Sequence, residues 1–199
     1  LLRRIGDISQ VAGIKSYTLN DGRAQGIEAF DVKTGSGLTY TVLKDRALDI
    51  AWMDYRGYAI GFMDKGGISH PKYYQPPGAG WLRAFNGGVL TTCGLTNVGP
   101  AQEGDMADRG LHGRISNTPS YEVSYIQKWD GDDLILKIEG KAKESVLFGE
   151  NLTLHRTIMT KAGENKLKLV DEITNDSFVK SPIMILYHMN IGSAKIAHL

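Results

Sequence analysis

Apolar and polar residues alternate with a period of two along most of this chain. Residues 133–139 place Leu134, Leu136 and Ile138 on one face, and residues 151–160 repeat this pattern. Because successive side chains of a β-strand point to opposite faces, the alternation predicts strands. No segment keeps a 3.6-residue period over three helical turns, so the pattern predicts a chain of strands and turns.

Glycine, proline and asparagine divide the predicted strands into short units. Residues 26–33 and 38–53 are predicted to be the two strands of a hairpin whose turn is residues 34–37. Residues 65–80 contain three prolines, which excludes a central strand or a helix interior and predicts a long ordered loop. Many short strands predict an all-β sandwich or barrel, in a single domain over residues 1–199.

Composition and charge narrow the function classes. The 199 residues include 23 basic and 22 acidic side chains, which gives no field that favours nucleic acid or an acidic membrane surface. No apolar run reaches the length of about 18 residues that a membrane span needs, and the N-terminus lacks the pattern of a signal peptide. A single cysteine is consistent with a reducing cytoplasm, which is the predicted location.

Glycine is concentrated in residues 81–119, which hold seven of them together with the only cysteine. Glycine loses more backbone freedom on folding than any other residue. Such a density is tolerated where the chain bends sharply or lies close to something else. The stretch is therefore interpreted either as the wall of a ligand pocket or as a set of tight β-turns.

The most informative residue is His188, in a predicted strand at residues 184–191. The alternation puts Leu186, His188 and Asn190 on one face of that strand. One interpretation is a core histidine that bonds to a backbone carbonyl. The other is a proton donor beside a polyol-binding amide, because the pKa of histidine lies near neutral pH.

A second histidine, His112, lies in a His-Gly-Arg triplet between glycines. The glycines would let this backbone approach a ligand closely. If the triplet is extended, Arg114 points to the same side as His112. The alternative is a turn whose histidine and arginine are merely solvated.

Other candidate sites are weaker. The histidines have no H-x-H spacing and the chain has no C-x-x-C, so a metal site is disfavoured. Cys93 has no identifiable partner base and is interpreted as a small core residue. Asp45, Arg46 and Asp49 are interpreted as a structural ion pair rather than as groove residues. Three aromatic residues, Tyr73, Tyr74 and Trp81, either stack on a sugar ring or anchor the proline-rich loop.

An ordered set of motifs resembles the aldose 1-epimerase (galactose mutarotase-like) superfamily, in particular an uncharacterised bacterial branch of it. The motifs are FNGGVLTTCGLTNVG, GLHGRISNTP, LHRTI, DEITNDSF and SPIMILYHMNIG, and the likeness runs from about Asp45 to Gly192. The resemblance implies an antiparallel β-supersandwich that binds a hexose in an open groove. It also implies the interconversion of sugar anomers without a cofactor.

The resemblance also implies roles for individual residues. His188 matches the histidine that donates a proton to the ring oxygen, and Asn190 its neighbour on the groove wall. His112 matches the sugar-binding histidine of an HG segment. Arg83 and Arg114 are candidates for the substrate-binding arginine, although neither matches its usual motif.

One departure from the family affects the expected function. The family carries its catalytic glutamate in strands beyond the equivalent of Gly192, so that base is expected to lie outside this chain. The chain is therefore interpreted as the N-terminal part of a longer domain, whose uncovered sheet edges favour a homodimer. Two alternatives stay open. One is a sugar-binding module without turnover, and the other is an epimerase acting on a phosphorylated or sulfonated sugar.

Overall fold

A computed structural model describes residues 4–102 and 109–192 of the chain. The described residues form eleven β-strands and five short 3₁₀ helices, and no α-helix. The strands are β1 (Gly13–Thr18), β2 (Glu28–Lys33), β3 (Leu38–Leu43), β4 (Asp49–Tyr55), β5 (Tyr58–Ala59), β6 (Leu90–Leu95), β7 (Tyr121–Asp130), β8 (Asp133–Ser145), β9 (Asn151–Lys161), β10 (Lys168–Asn175) and β11 (Met184–Met189). The 3₁₀ helices are Ile8–Gln10, Gly22–Ala24, Pro71–Tyr73, Gly80–Arg83 and Ile115–Asn117.

Two antiparallel sheets make up the fold. The larger has seven strands in the order β1-β2-β3-β4-β6-β11, with β5 paired to β4. The smaller has four strands in the order β10-β9-β8-β7. Every pair of neighbouring strands in both sheets is antiparallel. The predicted all-β antiparallel sandwich is therefore confirmed.

The core lies between the two sheets and follows the alternation in the sequence. Leu134, Leu136 and Ile138 of β8 are buried against Val42 and Ile50 of the larger sheet. Leucines of β9 pack into a neighbouring buried cluster in the same layer. Burying side chains of this kind stabilises a fold by about 1.5–3 kcal/mol each, so the inner faces of the strands fix the sandwich.

One predicted strand is wrong in its extent. Residues 38–53 were expected to form a single strand of the first hairpin, but they divide into β3 and β4 around a turn at Ala47 and Leu48. Both turn residues have left-handed φ angles, of 50° and 57°. Their side chains are nonetheless buried, so packing outweighs the cost of this backbone conformation.

The predicted proline-rich loop covers one end of the outer face of the larger sheet. Ile68 of this loop is buried with Ile27, Ala29, Leu43 and Ala51. The loop contains the 3₁₀ helix Pro71–Tyr73 and leads into the 3₁₀ helix Gly80–Arg83. This loop therefore anchors the segment that carries Trp81 and Arg83.

Strands β1 and β11 end the larger sheet, and β7 and β10 end the smaller. Along β11, Leu186 and Met189 are exposed. The predicted homodimer through such edges, the single domain over residues 1–199 and the cytoplasmic location remain predictions. Among the described residues, no helix has the length and apolar character that crossing a membrane requires.

Candidate functional site

His188 is carried by the strand pair at the end of the larger sheet. β11 pairs with β6 so that His188 lies opposite Thr91, and Tyr187 lies opposite Thr92. The Tyr187 hydroxyl donates to Asp171 of the smaller sheet, at 2.8 Å, so Tyr187 faces the layer between the sheets. His188 is its neighbour on the strand and therefore faces the opposite, outer side.

Glycines bring the His112 segment onto the same strand pair. The Gly94 N–H donates to the His112 carbonyl at 3.0 Å, and the Arg114 N–H donates to the Gly94 carbonyl at 3.1 Å. A Cβ atom at Gly113 would lie 2.3 Å from the Gly94 carbonyl oxygen. The glycines of this stretch therefore serve a close approach between two backbones, in addition to the turns around them.

This approach places the two predicted histidines side by side. The ring centroids of His112 and His188 are 6.0 Å apart, with an interplanar angle of 83°. Both side chains are partly exposed. Residues 76 positions apart in the sequence thus share one place on the outer face.

Two aromatic rings form the floor beneath the histidines. The Trp81 centroid lies 4.8 Å from His112 and 6.3 Å from His188, and Phe85 lies 5.5 Å from His188. The Trp81 indole N–H donates to the Ser116 hydroxyl at 3.1 Å. Trp81 is only 2% exposed, so it supports the imidazoles and does not offer a free face for a sugar ring.

The hydrogen bonds of His112 define its protonation. Its Nδ1 accepts the Gly99 N–H at 3.2 Å, so the neutral ring carries its proton on Nε2. Burial lowers the pKa of His112, and the charge of His188 lowers that pKa further. His112 is therefore a neutral imidazole near neutral pH, and its Nε2–H is a hydrogen-bond donor.

His188 is the less satisfied of the two imidazoles. Its Nδ1 is buried and has no hydrogen-bond partner among the residues that the structure describes. Buried polar atoms usually have a partner, so this nitrogen is open to a bound water or to a ligand. The interpretation of His188 as a core histidine that bonds to a backbone carbonyl does not fit this environment.

Asn190 lies directly after the end of β11. Its amide nitrogen donates to the carbonyls of Gly88, at 2.9 Å, and His188, at 3.0 Å. These two bonds occupy the side-chain N–H groups of Asn190, which were expected to bind a sugar. The amide fastens the end of β11 to the chain before β6, which helps to fix the backbone of His188.

The two candidate arginines are exposed. Arg83 ends the 3₁₀ helix that carries Trp81, and its carbonyl accepts a hydrogen bond from Arg23. The triplet at His112 is not extended, because His112 has a φ of 58° and Arg114 has αR angles. The expectation that His112 and Arg114 share one side, which required an extended triplet, therefore does not apply.

The charge of Arg114 acts on Tyr74 and Glu144. Burial raises the pKa of Tyr74, and the charge of Arg114 opposes that rise. Burial likewise raises the pKa of Glu144. The hydrogen bonds that Glu144 accepts from Thr96 and Leu95, and the charge of Arg114, lower that pKa and so oppose the rise. Glu144 was not singled out from the sequence, although it is only 6% exposed.

The weaker candidates take structural places. Cys93 is fully buried, and burial raises the pKa of its thiol to about 12, so the expected core residue is confirmed. The Tyr74 hydroxyl donates to the Gly113 carbonyl at 3.0 Å, which anchors the proline-rich loop.

Among the described residues, no group of three His, Cys, Asp or Glu side chains is placed to hold a metal ion.

A buried ionic network lies behind the histidine-bearing strands, and the sequence analysis missed its central residue, Arg156. The guanidinium of Arg156 donates to Asp49 at 2.8 Å, to Asp171 at 2.7 and 2.8 Å, and to the Thr92 hydroxyl at 2.7 Å. Asp49 is thus structural as expected, but its partner is Arg156. Arg46 instead donates to the Ser69 carbonyl at 2.8 Å.

A signal for this network was present in the sequence. Arg156 occupies the apolar register of β9, between Leu154 and Ile158. A charged residue at a position that must be buried requires buried partners. Asp49 and Asp171, on other predicted strands, were among the candidate acids.

Two solved structures share this architecture. A Klebsiella pneumoniae subsp. pneumoniae MGH 78578 protein described as a "putative aldose 1-epimerase" has a TM-score of 0.83 and 24% identity, over 94% of this chain and 50% of its own. Galactose 1-epimerase from Lactobacillus acidophilus NCFM has a TM-score of 0.52 and 15% identity, over 83% of this chain and 49% of its own. This chain therefore spans about half the length of each, and at these identities the likeness shows the fold.

Sequence comparison gives the family. No curated protein matches the chain. One family, described as "Domain of unknown function (DUF4432)", matches residues 24–196, which is most of the chain. The fold agrees with the mutarotase-like branch that the motifs resemble. The chain belongs to the DUF4432 family and has the sandwich fold of the aldose 1-epimerases.

Proposed function

We propose that this chain binds the pyranose form of an aldose over His112 and His188, and that it takes part in interconverting the α and β anomers. The observation that carries this proposal is the pair of imidazoles 6.0 Å apart, on a floor of two buried or half-buried aromatic rings. The fold, which this chain shares with two structures described as epimerases, supports the same class of ligand.

The chemistry requires an acid and a base at two oxygens of the sugar. His188 gives a proton to the ring oxygen while a base removes the proton of the anomeric hydroxyl. The bond between the anomeric carbon and the ring oxygen then breaks, which leaves an open-chain aldehyde. Rotation of the aldehyde and the reverse proton transfers close the ring as the other anomer. Each proton transfer of this kind contributes about 10²–10⁴-fold, and no cofactor is consumed.

The state of His112 fits a binding role better than an acid role. Its pKa is lowered by burial and by the charge of His188, so His112 is neutral near neutral pH and is a poor proton donor. A neutral His112 donates its Nε2–H to a sugar oxygen, because its Nδ1 already accepts the Gly99 N–H. His112 is therefore assigned the binding role, as a neutral hydrogen-bond donor, and the acid role is left to His188.

A sugar-binding module without turnover is the second candidate. Neither imidazole bonds to a carboxylate among the described residues, whereas the resemblance implies a glutamate base. A third candidate is an epimerase whose sugar carries a phosphate or sulfonate group. Arg83 and Arg114 are exposed, and either guanidinium could bind such an anion. These readings predict different ligands and different rates.

The test is the rate at which α-glucose and α-galactose equilibrate, followed by polarimetry or proton NMR. His188→Asn is expected to abolish the enzymatic rate while the circular dichroism spectrum stays unchanged. His155→Asn is the matched control, because this histidine is partly exposed on β9 and is placed beside Glu172. An unaffected rate in His188→Asn would refute the acid role. Sugar binding without a rate would favour the binding module, and a response only to phosphorylated or sulfonated sugars would favour the third reading.

A further inference from the structure

A groove on the outer face of the larger sheet lies apart from the histidine pair. It has a volume of about 340 Å³, and strands β1 to β4 supply most of its wall. Ligand pockets begin at about this size, which is enough for one small molecule. None of His112, His188, Trp81 and Phe85 lines it.

Two rows of polar side chains cross the strands at this groove. The first row is Lys15, Asp31 and Thr41, which are register partners on β1, β2 and β3. The second is Lys33, Thr39 and Asp54 on β2, β3 and β4. Strands are spaced about 4.8 Å apart and alternate residues of a strand about 6.6 Å apart, so the rows form a grid of polar groups.

The grid faces away from the core. The intervening residues Val32 and Tyr40 are buried between the sheets, so the residues on either side of them point outward. The pairing of β3 with β4 is irregular at Thr41, and Trp52 lies beside it on β4. Trp52 is 37% exposed and lines the groove, which leaves part of its indole ring open.

Some polar groups of the grid are held by hydrogen bonds within the protein, and others are left for a ligand. The Tyr17 and Thr41 hydroxyls both donate to Oδ1 of Asp31, at 2.9 and 2.5 Å. Burial raises the pKa of Tyr17 to about 12, and its bond to Asp31 adds to the rise, so this hydroxyl keeps its proton. Among the described residues, Oδ2 of Asp31, the Asp54 carboxylate and the Trp52 indole N–H have no hydrogen-bond partner.

The composition of the wall selects the class of ligand. Two lysines and two aspartates give it no net charge, which disfavours an anionic ligand such as a sugar phosphate. An exposed indole offers an apolar face, and carboxylates and hydroxyls accept and donate hydrogen bonds at its rim. A neutral sugar has both an apolar ring face and a rim of hydroxyls.

We propose that this groove, which we call the Trp52 groove, is a second saccharide-binding site. A neutral sugar lies with one ring face on Trp52, while Asp31 and Asp54 accept hydrogen bonds from its hydroxyls. Asp31 is held in place for this by Tyr17 and Thr41. The site binds and does not react with its ligand, and it is independent of the histidine pair.

The test is a titration of His188→Asn protein with glucose, galactose and lactose, with glucose 6-phosphate as the anionic comparison. The readouts are the Trp52 indole N–H signal by NMR and the stoichiometry by calorimetry. A saturable shift of that signal by a neutral sugar is expected. Trp52→Ala and Asp31→Asn are each expected to weaken this binding at least tenfold.

Trp129→Ala is the matched control, because Trp129 is 40% exposed on β7 and lines a separate cavity. It is expected to leave the affinity unchanged. An unmoved Trp52 signal, binding that Trp52→Ala and Asp31→Asn leave intact, or a response to glucose 6-phosphate alone would each overturn the proposal. Because the titration uses the His188 variant, its result is independent of whether the wild-type protein interconverts anomers.

Discussion

Removing the guanidinium of Arg156 is expected to destabilise the protein severely. Its partners Asp49 and Asp171 have side chains only 5% and 3% exposed, so Arg156→Met leaves two carboxylates in the core without their cation. Breaking a buried pair by removing one partner costs about 3–5 kcal/mol. For a domain of this size that corresponds to a fall in Tm of about 6–20 °C.

The assay is urea and thermal denaturation followed by circular dichroism. Lys168→Met is the control, because Lys168 is an exposed cation on β10, the strand of Asp171, and its loss is expected to change stability by less than about 0.5 kcal/mol. The triple variant Arg156→Met, Asp49→Leu, Asp171→Leu leaves no charge in the core. It is expected to regain most of the lost stability, since replacing a whole buried ionic group by apolar residues of similar volume is often close to neutral.

The pH dependence gives an independent check. Burial raises the pKa of Asp49, and Arg156 opposes that rise, so removing Arg156 raises this pKa further. The folded state of Arg156→Met then binds more protons than the unfolded state. Its stability is therefore expected to fall as pH rises, and to recover toward the wild-type value as pH falls below neutrality. A loss below about 1 kcal/mol, or a triple variant no better than Arg156→Met, would refute the reasoning.

Three further predictions concern the site. In urea denaturation, Gly113→Ala is expected to destabilise the protein by more than about 1 kcal/mol beyond Gly99→Ala. Both glycines have a left-handed φ, of 72° and 88°, but a Cβ atom at Gly113 would lie 2.3 Å from the Gly94 carbonyl oxygen, whereas one at Gly99 would meet open space. In an NMR titration, His112 is expected to titrate below its ordinary pKa of 6.5, so the stability it contributes as a neutral ring is lost as pH falls below that value. His188→Asn should raise the midpoint of the His112 titration. An unchanged midpoint would contradict the electrostatic coupling between the two histidines. Cys93 is expected to react with a thiol reagent at pH 8 only after unfolding, because it is fully buried and its pKa is about 12; rapid reaction of the folded protein would contradict this.

Several features of the fold followed directly from the alternation in the sequence. Leu134, Leu136 and Ile138 were assigned to one face, and all three are buried in the core. The turn between β3 and β4 was not recognised, because its residues Ala47 and Leu48 are apolar and carry no turn signal. Their left-handed backbone is maintained by burial, which is a property of the packed fold and not of the local sequence.

The candidate site divides in the same way. His112 and His188 were singled out from their flanking residues, and the structure brings them together. The occupied amide of Asn190 was not predictable, because its partner Gly88 is 102 positions away in the sequence. Arg156 was missed because its neighbours on β9 were interpreted only as an apolar face, although its charge in that register was a usable signal.

The sequence by itself determined most of the strands, their buried faces and the residue types capable of acid–base chemistry, because these depend on local alternation and on intrinsic pKa values. Only the tertiary structure decided which of these residues meet. Gly94 and Gly113 allow the His112 segment to approach β6, and β6 pairs with β11, which is distant in sequence. These two contacts together set His112 beside His188. Contacts of this kind arise from the packing of whole strands, which no local pattern encodes.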